Sequence, residues 1–321
     1  MASGLMSYLA GAKDAGDGVI KTIPAGYYTP GYWTVLAASA RAAGVTFDRL
    51  TFAGEQNAGY AEALRLPAAL GQRDDYRYER YNEGRNYSGL VLLEDAERTN
   101  AATASVNGCI RHIFAGAKLD RFVQDLQEVV GDLHDNVWSH GKSTGFSMAQ
   151  KWKNAVTGED YFEFALADRG LGFLREVRRV GMTDITTDAQ AIEWCIQKGN
   201  SSKKVKRIDD FAQYLPPDMM GNPMPGIGSI RESENHHMGL GLAKLVALVD
   251  RYKGSLWLAS GAGMLRTLDG ADRKIVDAAS FCQGVAIAAR FDTGVIRAQL
   301  ADEPAEDEIT NNLMTLLGGG P

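Results

Sequence analysis

Both the fold and the predicted site depend on one stretch, which reads Val130-Gly131-Asp132-Leu133-His134-Asp135-Asn136-Val137-Trp138-Ser139-His140-Gly141. At helical spacing Asp132, Asn136 and His140 recur every four residues, so they form one polar stripe. A neighbouring apolar stripe is formed by Leu126, Val129, Leu133 and Val137. The pattern predicts a helix that offers polar groups to a pocket and an apolar side to a core. Taken alone, however, the stretch is more typical of an ordinary surface helix.

Composition limits the class of protein. The chain has 321 residues, of which 45% are hydrophobic, and this is enough for two domains or one large domain with a sizeable core. Five acidic residues after Arg297 account for most of the net charge of −6, and no basic excess argues for nucleic acid or an anionic membrane. Cys109, Cys195 and Cys282 are far apart, which fits a reducing compartment and excludes a Cys-x-x-Cys zinc motif. No apolar run approaches the ~20 residues of a membrane span, so we expect a soluble, cytoplasmic protein.

The N-terminal segment alternates strand and helix patterns, which favours a sheet with helices packed on it. Predicted strands cover residues 18–23, 45–52, 76–81 and 90–93, and predicted helices cover residues 32–43, 57–70 and 94–116. Thr29-Pro30 is a typical cap and first-turn pair for the helix at 32–43. We therefore expect an α/β arrangement in this part of the chain.

The order of these elements, with Tyr60-Ala61-Glu62-Ala63-Leu64 leading to Ala68-Ala69-Leu70-Gly71, resembles the STAS-like (anti-anti-sigma-like) domains that precede some bacterial ATP-binding modules. The resemblance implies a STAS-like domain over residues 1–105. In that family a Ser or Thr at the start of such a helix can accept phosphate, and Thr29 is the nearest match. The Asp-Ser-Ser-Gly-like turn of the family is absent, so the preferred interpretation is that Thr29 only caps the helix.

Two glycine motifs follow the opening helix. Predicted strands at 146–153 and 161–167 flank Thr157-Gly158, which is a hairpin signal. The second strand runs into Asp168-Arg169-Gly170-Leu171-Gly172, where the glycines allow close backbone approach and the acid can accept hydrogen bonds from an amino group. Further on, Gly239-Leu240-Gly241-Leu242 opens a helix, and a helix start binds anions because its N–H groups are unpaired. Each motif alone also occurs by chance in turns.

Taken in order, the helix with Asp132 and Asn136, the strand that ends in Asp-x-Gly-x-Gly, and the helix opened by Gly-x-Gly-Leu resemble the GHKL (Bergerat-fold) ATPases. This superfamily includes gyrase, MutL, histidine kinases and anti-sigma serine kinases, and the ending at 136–141 is closest to the last of these. Predicted strands at 255–260 and 284–291 continue the match. The resemblance implies an α/β (α+β two-layer) protein with a GHKL ATP-binding domain at 106–297, a mixed sheet and helices on one face. It also implies a nucleotide-responsive lid at 173–238, followed by a flexible acidic tail at 298–321.

The resemblance assigns a role to each motif residue. Asn136 would coordinate Mg²⁺, and Asp168 would bind the adenine amino group of ATP. The remaining nucleotide contacts would come from His140, Gly170, Gly172, Gly239, Gly241 and Leu242. The glycines would let the ligand approach the backbone closely. The second glycine motif, Gly239-Leu240-Gly241-Leu242, would hold its phosphates at a helix start. His140 would either touch the ligand or pack at the helix end. Lys142 and Lys244 are candidate phosphate neighbours, although solvated lysines are the usual case.

Asp132 stands where this superfamily usually has the Glu that acts as general base, so it is the candidate catalytic residue. Its side chain is shorter by one C–C bond, and base catalysis needs a contact near ~3 Å or a bridging water. The sequence therefore predicts a Mg-ATP-binding protein with a protein partner, either an ATPase or a serine/threonine kinase in a partner switch; a homodimer stays open.

The sequence leaves two alternatives to this enzyme open. The first is a non-catalytic ATP sensor, which the shorter Asp132 favours. The second is a scaffold protein whose glycine motifs are only turns. An NAD-type dehydrogenase is disfavoured, because no Gly-x-Gly-x-x-Gly follows the first strand.

Overall fold

A computed structural model describes residues 3–13, 15, 18–139, 143–154, 157–200 and 241–301. Of the predicted features, His140, Lys142, Gly239, lid residues 201–238 and tail residues 302–321 lie outside the described residues. What is described is a mixed α/β fold. None of its helices is long and apolar enough to cross a membrane.

The N-terminal segment contributes helices α1 to α5 and strands β1 to β3. The helices are α1 (Gly4–Lys13), α2 (Pro30–Ala42), α3 (Glu55–Ala63), α4 (Leu66–Ala69) and α5 (Ala96–Ile113), and the strands are β1 (Thr22–Ile23), β2 (Thr51–Phe52) and β3 (Val91–Leu93). The helix predicted at 32–43 is confirmed as α2. The helix predicted at 57–70 is divided, because Arg65 adopts a left-handed backbone with φ of +67°.

The second half contributes the larger elements. These are α6 (Asp120–Ser139), β4 (Gly145–Lys153), β5 (Asp160–Asp168), α7 (Phe173–Arg179), α8 (Asp188–Cys195), α9 (Gly241–Arg251), β6 (Ser255–Thr267), β7 (Lys274–Asp292) and α10 (Thr293–Ala301). The opening helix is confirmed as α6, and the predicted hairpin as β4 and β5. Strands β6 and β7 extend well beyond the predicted 255–260 and 284–291, because they pair with each other along their outer halves.

Residues 76–81, for which the sequence predicts a strand, form an irregular loop. Arg80 holds this loop to the end of α3: it donates to the carbonyls of Glu62 and Ala63 at 2.9 Å and to Asp74 at 2.6 Å. Its guanidinium also lies 4.5 Å from the centre of the Tyr76 ring. The contacts of Arg80 therefore hold this segment as a loop, and Tyr78 and Tyr81 are exposed.

In the described part of the chain, five strands form the main sheet in the order β3-β4-β5-β7-β6. Every neighbouring pair is antiparallel. The expectation of a mixed sheet is wrong for this sheet, since β4 with β5 and β6 with β7 are consecutive strands that turn back on themselves. Among the strands described, parallel pairing joins only β1 and β2, which stand apart from the main sheet.

Helices cover both faces of the main sheet: the helices within residues 106–297 that pack on the sheet lie on one face, as expected, and α1 and α2 of the N-terminal segment cover the other. Successive residues of β5 alternate between two cores: Phe164 packs with α5, α6 and α9, whereas Ala165 packs with α1 and α2. Small side chains on the second face let α2 lie close to the sheet, and a Cβ on Gly31 would lie 3.0 Å from the Cβ of Ala288. The N-terminal helices thus supply a layer of the same folded unit.

The predicted domain boundary between 105 and 106 falls inside α5, which runs without a break from its N-cap Asp95. Strand β3 precedes that boundary and yet forms the edge of the main sheet beside β4. These contacts join the N-terminal segment to the second half of the chain. Whether residues 1–105 are STAS-like stays a prediction.

The start of α2 lies on a buried ion pair. Glu163 on β5 is fully buried, and its Oε2 accepts hydrogen bonds from Nε and Nη2 of Arg290 at 3.0 and 2.9 Å. Its Oε1 accepts from the Thr29 hydroxyl at 2.8 Å and from the Gly31 N–H at 2.9 Å. Thr29 is the N-cap residue of α2, as predicted, but its hydroxyl binds Glu163 and makes no hydrogen bond to the helix. At 1% exposure, Thr29 is closed to a phosphate donor in this conformation.

His134, within the opening stretch, lies in the core between α5, α6 and β4. Its Nδ1 is 2.8 Å from the Thr103 hydroxyl and its Nε2 is 2.8 Å from the Ser147 hydroxyl. Because the Thr103 hydroxyl donates to the carbonyl of Thr99, its oxygen accepts from Nδ1–H, and Nε2 accepts from Ser147. Burial lowers the pKa of His134 to about 3, so the ring is neutral. This residue is structural and cannot replace Asp132 as a base.

Candidate functional site

The two stripes of α6 face different surroundings, as the sequence predicts. Leu126, Val129, Leu133 and Val137 are all buried in the core. The polar stripe faces the start of α9, where a Cβ on Gly241 would lie 2.8 Å from the Cβ of Asp132 and 3.4 Å from Nδ2 of Asn136. Gly241 is therefore needed for the close approach of the two helices.

A cavity of about 140 Å³ opens between α6, β5, β7 and the helices α7, α8 and α9. This volume holds on the order of ten water molecules, which is enough for a ring system of nucleobase size. Four predicted site residues line it: Asn136, Asp168, Gly172 and Leu242. They come from three separate motifs, which the fold brings to one place.

Asp168 ends β5 and lies at the floor of the cavity. Its Oδ1 accepts a hydrogen bond from the Gly170 N–H at 2.7 Å, and the N–H of Val285 is a second backbone donor to the carboxylate. Burial raises the pKa of Asp168 to about 6, against the opposing effects of these two N–H groups and of Arg169. A carboxylate has about four lone-pair positions, so Asp168 retains acceptor capacity for an amino group in the cavity.

Glycines hold the turn after Asp168 against β6 and β7. Gly172 has φ of +76°, and a Cβ there would lie 2.9 Å from the Ser260 hydroxyl. Gly284 on β7 has φ of +80°, and a Cβ there would lie 2.3 Å from the carbonyl oxygen of Asp168. The close backbone approach that the glycine motif predicts is thus made to the protein's own strand, and it fixes the position of Asp168.

Replacement of Gly284 by Ala is expected to lower the free energy of unfolding by about 3 kcal/mol, the sum of a left-handed Ala and an overpacked contact. Gly158→Ala is the matched control, because Gly158 has φ of +73° but a Cβ added there would meet nothing within 4 Å. The control should be destabilised by about 1 kcal/mol. Urea denaturation of both variants measures the difference, and equal losses would show that the contact with Asp168 is unimportant.

Asp132 does not line the cavity. Its carboxylate is buried, and Oδ2 lies 2.9 Å from Nζ of Lys244, which is also 3.6 Å from Oε2 of Glu128. Burial alone would lower the pKa of Lys244, but its bonds to Asp132 and Glu128 outweigh this effect and raise it. In this structure the predicted base is therefore paired with a cation from α9.

The described part of the predicted lid, residues 173–200, is folded against the sheet. It contains α8, which begins with a capping box between Thr187 and Gln190. The carboxylate of Asp188 accepts from the backbone N–H of Ala262 on β6 at 2.9 Å, and Ile192 is fully buried. In this structure residues of this part form one wall of the cavity.

Several lining residues are not identified by any sequence motif. They are Phe173, Glu176, Trp194, Cys195, Asn200 and Val285. They lie on α7, at the end of α8 and on β7. The available signals are indirect: Phe173 follows the last glycine of its motif, and Trp194 and Cys195 lie beside the buried face of α8. Burial raises the pKa of Cys195 to about 12, so its thiol stays protonated at neutral pH.

Among the described residues, no group of three or more His, Cys, Asp or Glu side chains could hold a metal ion. The predicted magnesium ligand Asn136 faces the cavity. Mg²⁺ in nucleotide sites is typically held by one or two side chains together with phosphates and water. Asn136 supplies one side chain of this kind at the cavity wall, and binding of Mg²⁺ there stays a prediction.

No model of a known protein family, no curated protein and no solved structure matches this chain. The function is therefore inferred from the cavity and from the residues around it.

Proposed function

We propose that this chain binds Mg-ATP in the cavity, as a regulatory protein of the GHKL type with a protein partner. One observation carries the proposal: residues of three distant motifs, Asn136, Asp168 and Leu242, line a single cavity with a buried carboxylate at its floor. Ligand pockets commonly combine apolar walls with a few convergent polar groups of this kind.

In this proposal each region of the cavity would bind a different part of the nucleotide. Asp168 would accept a hydrogen bond from the adenine amino group, and the apolar side chains of Val137 and Ile287 would enclose the base. The phosphates would extend toward the start of α9, because the first N–H groups of a helix have no partners within it. Asn136 would share Mg²⁺ with these phosphates, and the ion would neutralise part of their charge.

We also propose a fold type for each half of the chain. Residues 106–297 would form a Bergerat-type unit, and residues 1–105 would be related to STAS-like domains. The order α6, hairpin β4 and β5, glycine turn, α9, then β6 and β7 supports the first part. A Bergerat-type unit in this chain would have an antiparallel sheet, with α1 and α2 packed on its second face.

Equilibrium binding of labelled ATP, with and without Mg²⁺, tests the proposal. The parent chain is expected to bind Mg-ATP below millimolar concentration, and Asp168→Asn is expected to weaken binding by about 100-fold, as loss of a buried polar contact does. Asp160→Asn, the same change at the opposite end of β5, should bind like the parent, because Asp160 only pairs with Lys151 at the surface. Binding weaker than millimolar, with Asp168→Asn behaving like the parent, would contradict the proposal.

The proposed reaction is ATP hydrolysis or transfer of phosphate to a serine or threonine of a partner, with Asp132 as the base. The second candidate is an ATP sensor without chemistry, and the pairing of Asp132 with Lys244 outside the cavity lining favours it. A turnover assay with ATP, run beside a search for phosphate incorporated into the chain, separates the two. An inactive parent that gains turnover on Asp132→Glu would support the sensor.

A further inference from the structure

Lys244 holds the carboxylate of Asp132 at the junction of α6 and α9. Its Nζ lies 2.9 Å from Oδ2 of Asp132 and 3.6 Å from Oε2 of Glu128, one helical turn earlier on α6. Asp132 has a side-chain exposure of 2%, whereas the side chain of Lys244 is 33% exposed. The ammonium group is therefore open to solvent on one side and bound to a shielded anion on the other.

The position of Lys244 on α9 is unfavourable for a cation. It is the fourth residue of a helix whose bounds begin at Gly241, and the first turn of this helix contains no acidic residue. A helix start carries partial positive charge, so a Lys there is disfavoured unless an anion is nearby. Asp132 provides that anion here, and the phosphates of a nucleotide at the start of α9 would provide a second one with more charge.

We propose that Lys244 is a switchable cation that senses the phosphate chain of the nucleotide. Without nucleotide it neutralises Asp132. With ATP bound, the ammonium turns to the terminal phosphates and releases the carboxylate of Asp132 beside them. The flexible four-carbon stem of lysine allows such a change of partner without backbone movement. This inference rests on the proposed ATP binding. It adds that the number of phosphates on the bound nucleotide determines whether Lys244 stays paired with Asp132.

Calorimetric titration of Lys244→Met with Mg-ATP, Mg-ADP and adenosine tests the inference. Adenosine affinity is expected to stay within about twofold of the parent, whereas ATP affinity falls about 10-fold, because only the terminal phosphates use the ammonium. Lys244→Arg keeps the charge and should keep the preference for ATP. If Lys244 only fastens α9 to α6, then Lys244→Met weakens all three ligands alike. That result would overturn the inference and leave ATP binding intact.

Asp132→Asn supplies a second measurement. It is expected to tighten ATP binding about threefold, because the phosphates no longer compete with a carboxylate for the ammonium, and to have no effect in the Lys244→Met background. The double variant lacks both charges of the pair, and where Lys244→Met alone does not fold it is compared with Asp132→Asn, relative to which its ATP affinity should be about 30-fold lower. Equal tightening in both backgrounds overturns the inference, since it reflects only the removal of negative charge.

Glu128→Gln is the matched control for this series, because Glu128 is exposed and lies farther from Lys244. Its ATP affinity is expected to change less than about twofold, as for a surface pair. A larger change than that of Asp132→Asn would place the relevant anion at Glu128 and overturn the assignment to Asp132. Absence of ATP binding by the parent chain overturns the proposed function and this inference together.

Discussion

Replacement of Glu163 by Gln is expected to lower the free energy of unfolding by about 3 kcal/mol, because it leaves a buried guanidinium without its counter-ion. Arg290 has only 7% of its surface exposed, and it lies between the rings of Trp152 and Trp257 at 5.3 and 5.0 Å from their centres. The same substitution removes the anion at the start of α2, where Thr29 and the N–H of Gly31 donate to Glu163. Chemical denaturation of the parent and the variant gives the difference directly.

The double variant Glu163→Leu with Arg290→Met tests how much the ion pair itself contributes to stability. An apolar pair of similar volume has no charge to desolvate. The double variant should therefore be more stable than Glu163→Leu alone or Arg290→Met alone. Asp160→Asn, which breaks the surface pair with Lys151, is the control and should lose less than about 1 kcal/mol. If the double variant loses as much unfolding free energy as the two single variants together, Glu163 and Arg290 act independently. Their contact would then not hold α2 to the sheet.

Local patterns in the sequence predict several elements of the fold. The apolar stripe of α6, the Thr-Pro start of α2 and the hairpin before Asp168 each depend on neighbouring residues alone, and the structure confirms all three. The order of motifs predicts the grouping of Asn136, Asp168 and Leu242. That order carries the prediction only through its resemblance to GHKL domains, and in the structure the three residues line one cavity.

Contacts between distant residues could not be predicted from such patterns. Glu163 and Arg290 are separated by 127 positions, and each on its own is typical of a solvated strand residue. The pairing of Asp132 with Lys244 is of the same kind, since a polar stripe on α6 does not specify which group it meets. The second helical layer also escapes prediction, because the alanines of β5 and β7 that admit α2 to the sheet carry no directional signal.

Asp168→Asn is expected to stabilise the ligand-free protein at neutral pH while weakening ATP binding. Burial raises the pKa of Asp168 from 3.8 to about 6. For a carboxyl group with a raised pKa, the stabilising contribution of the protonated form is fully present below pH 3.8 and is lost as pH rises through about 6. Above pH 7 the folded state therefore holds a buried carboxylate that opposes folding by up to about 3 kcal/mol.

The decisive measurement is the difference in unfolding free energy between Asp168→Asn and the parent, taken from pH 8 to pH 4. The difference should favour the variant most at pH 8 and shrink by about 3 kcal/mol toward pH 4, because the parent carboxyl becomes neutral. His134 titrates in both proteins, so its contribution cancels. The asparagine can lose one backbone hydrogen bond, worth about 1 kcal/mol, but this loss shifts the whole curve and leaves its pH dependence unchanged. If the difference in unfolding free energy does not change with pH, the buried carboxylate of Asp168 does not oppose folding. The proposed use of its charge for ligand binding would then lose its physical basis.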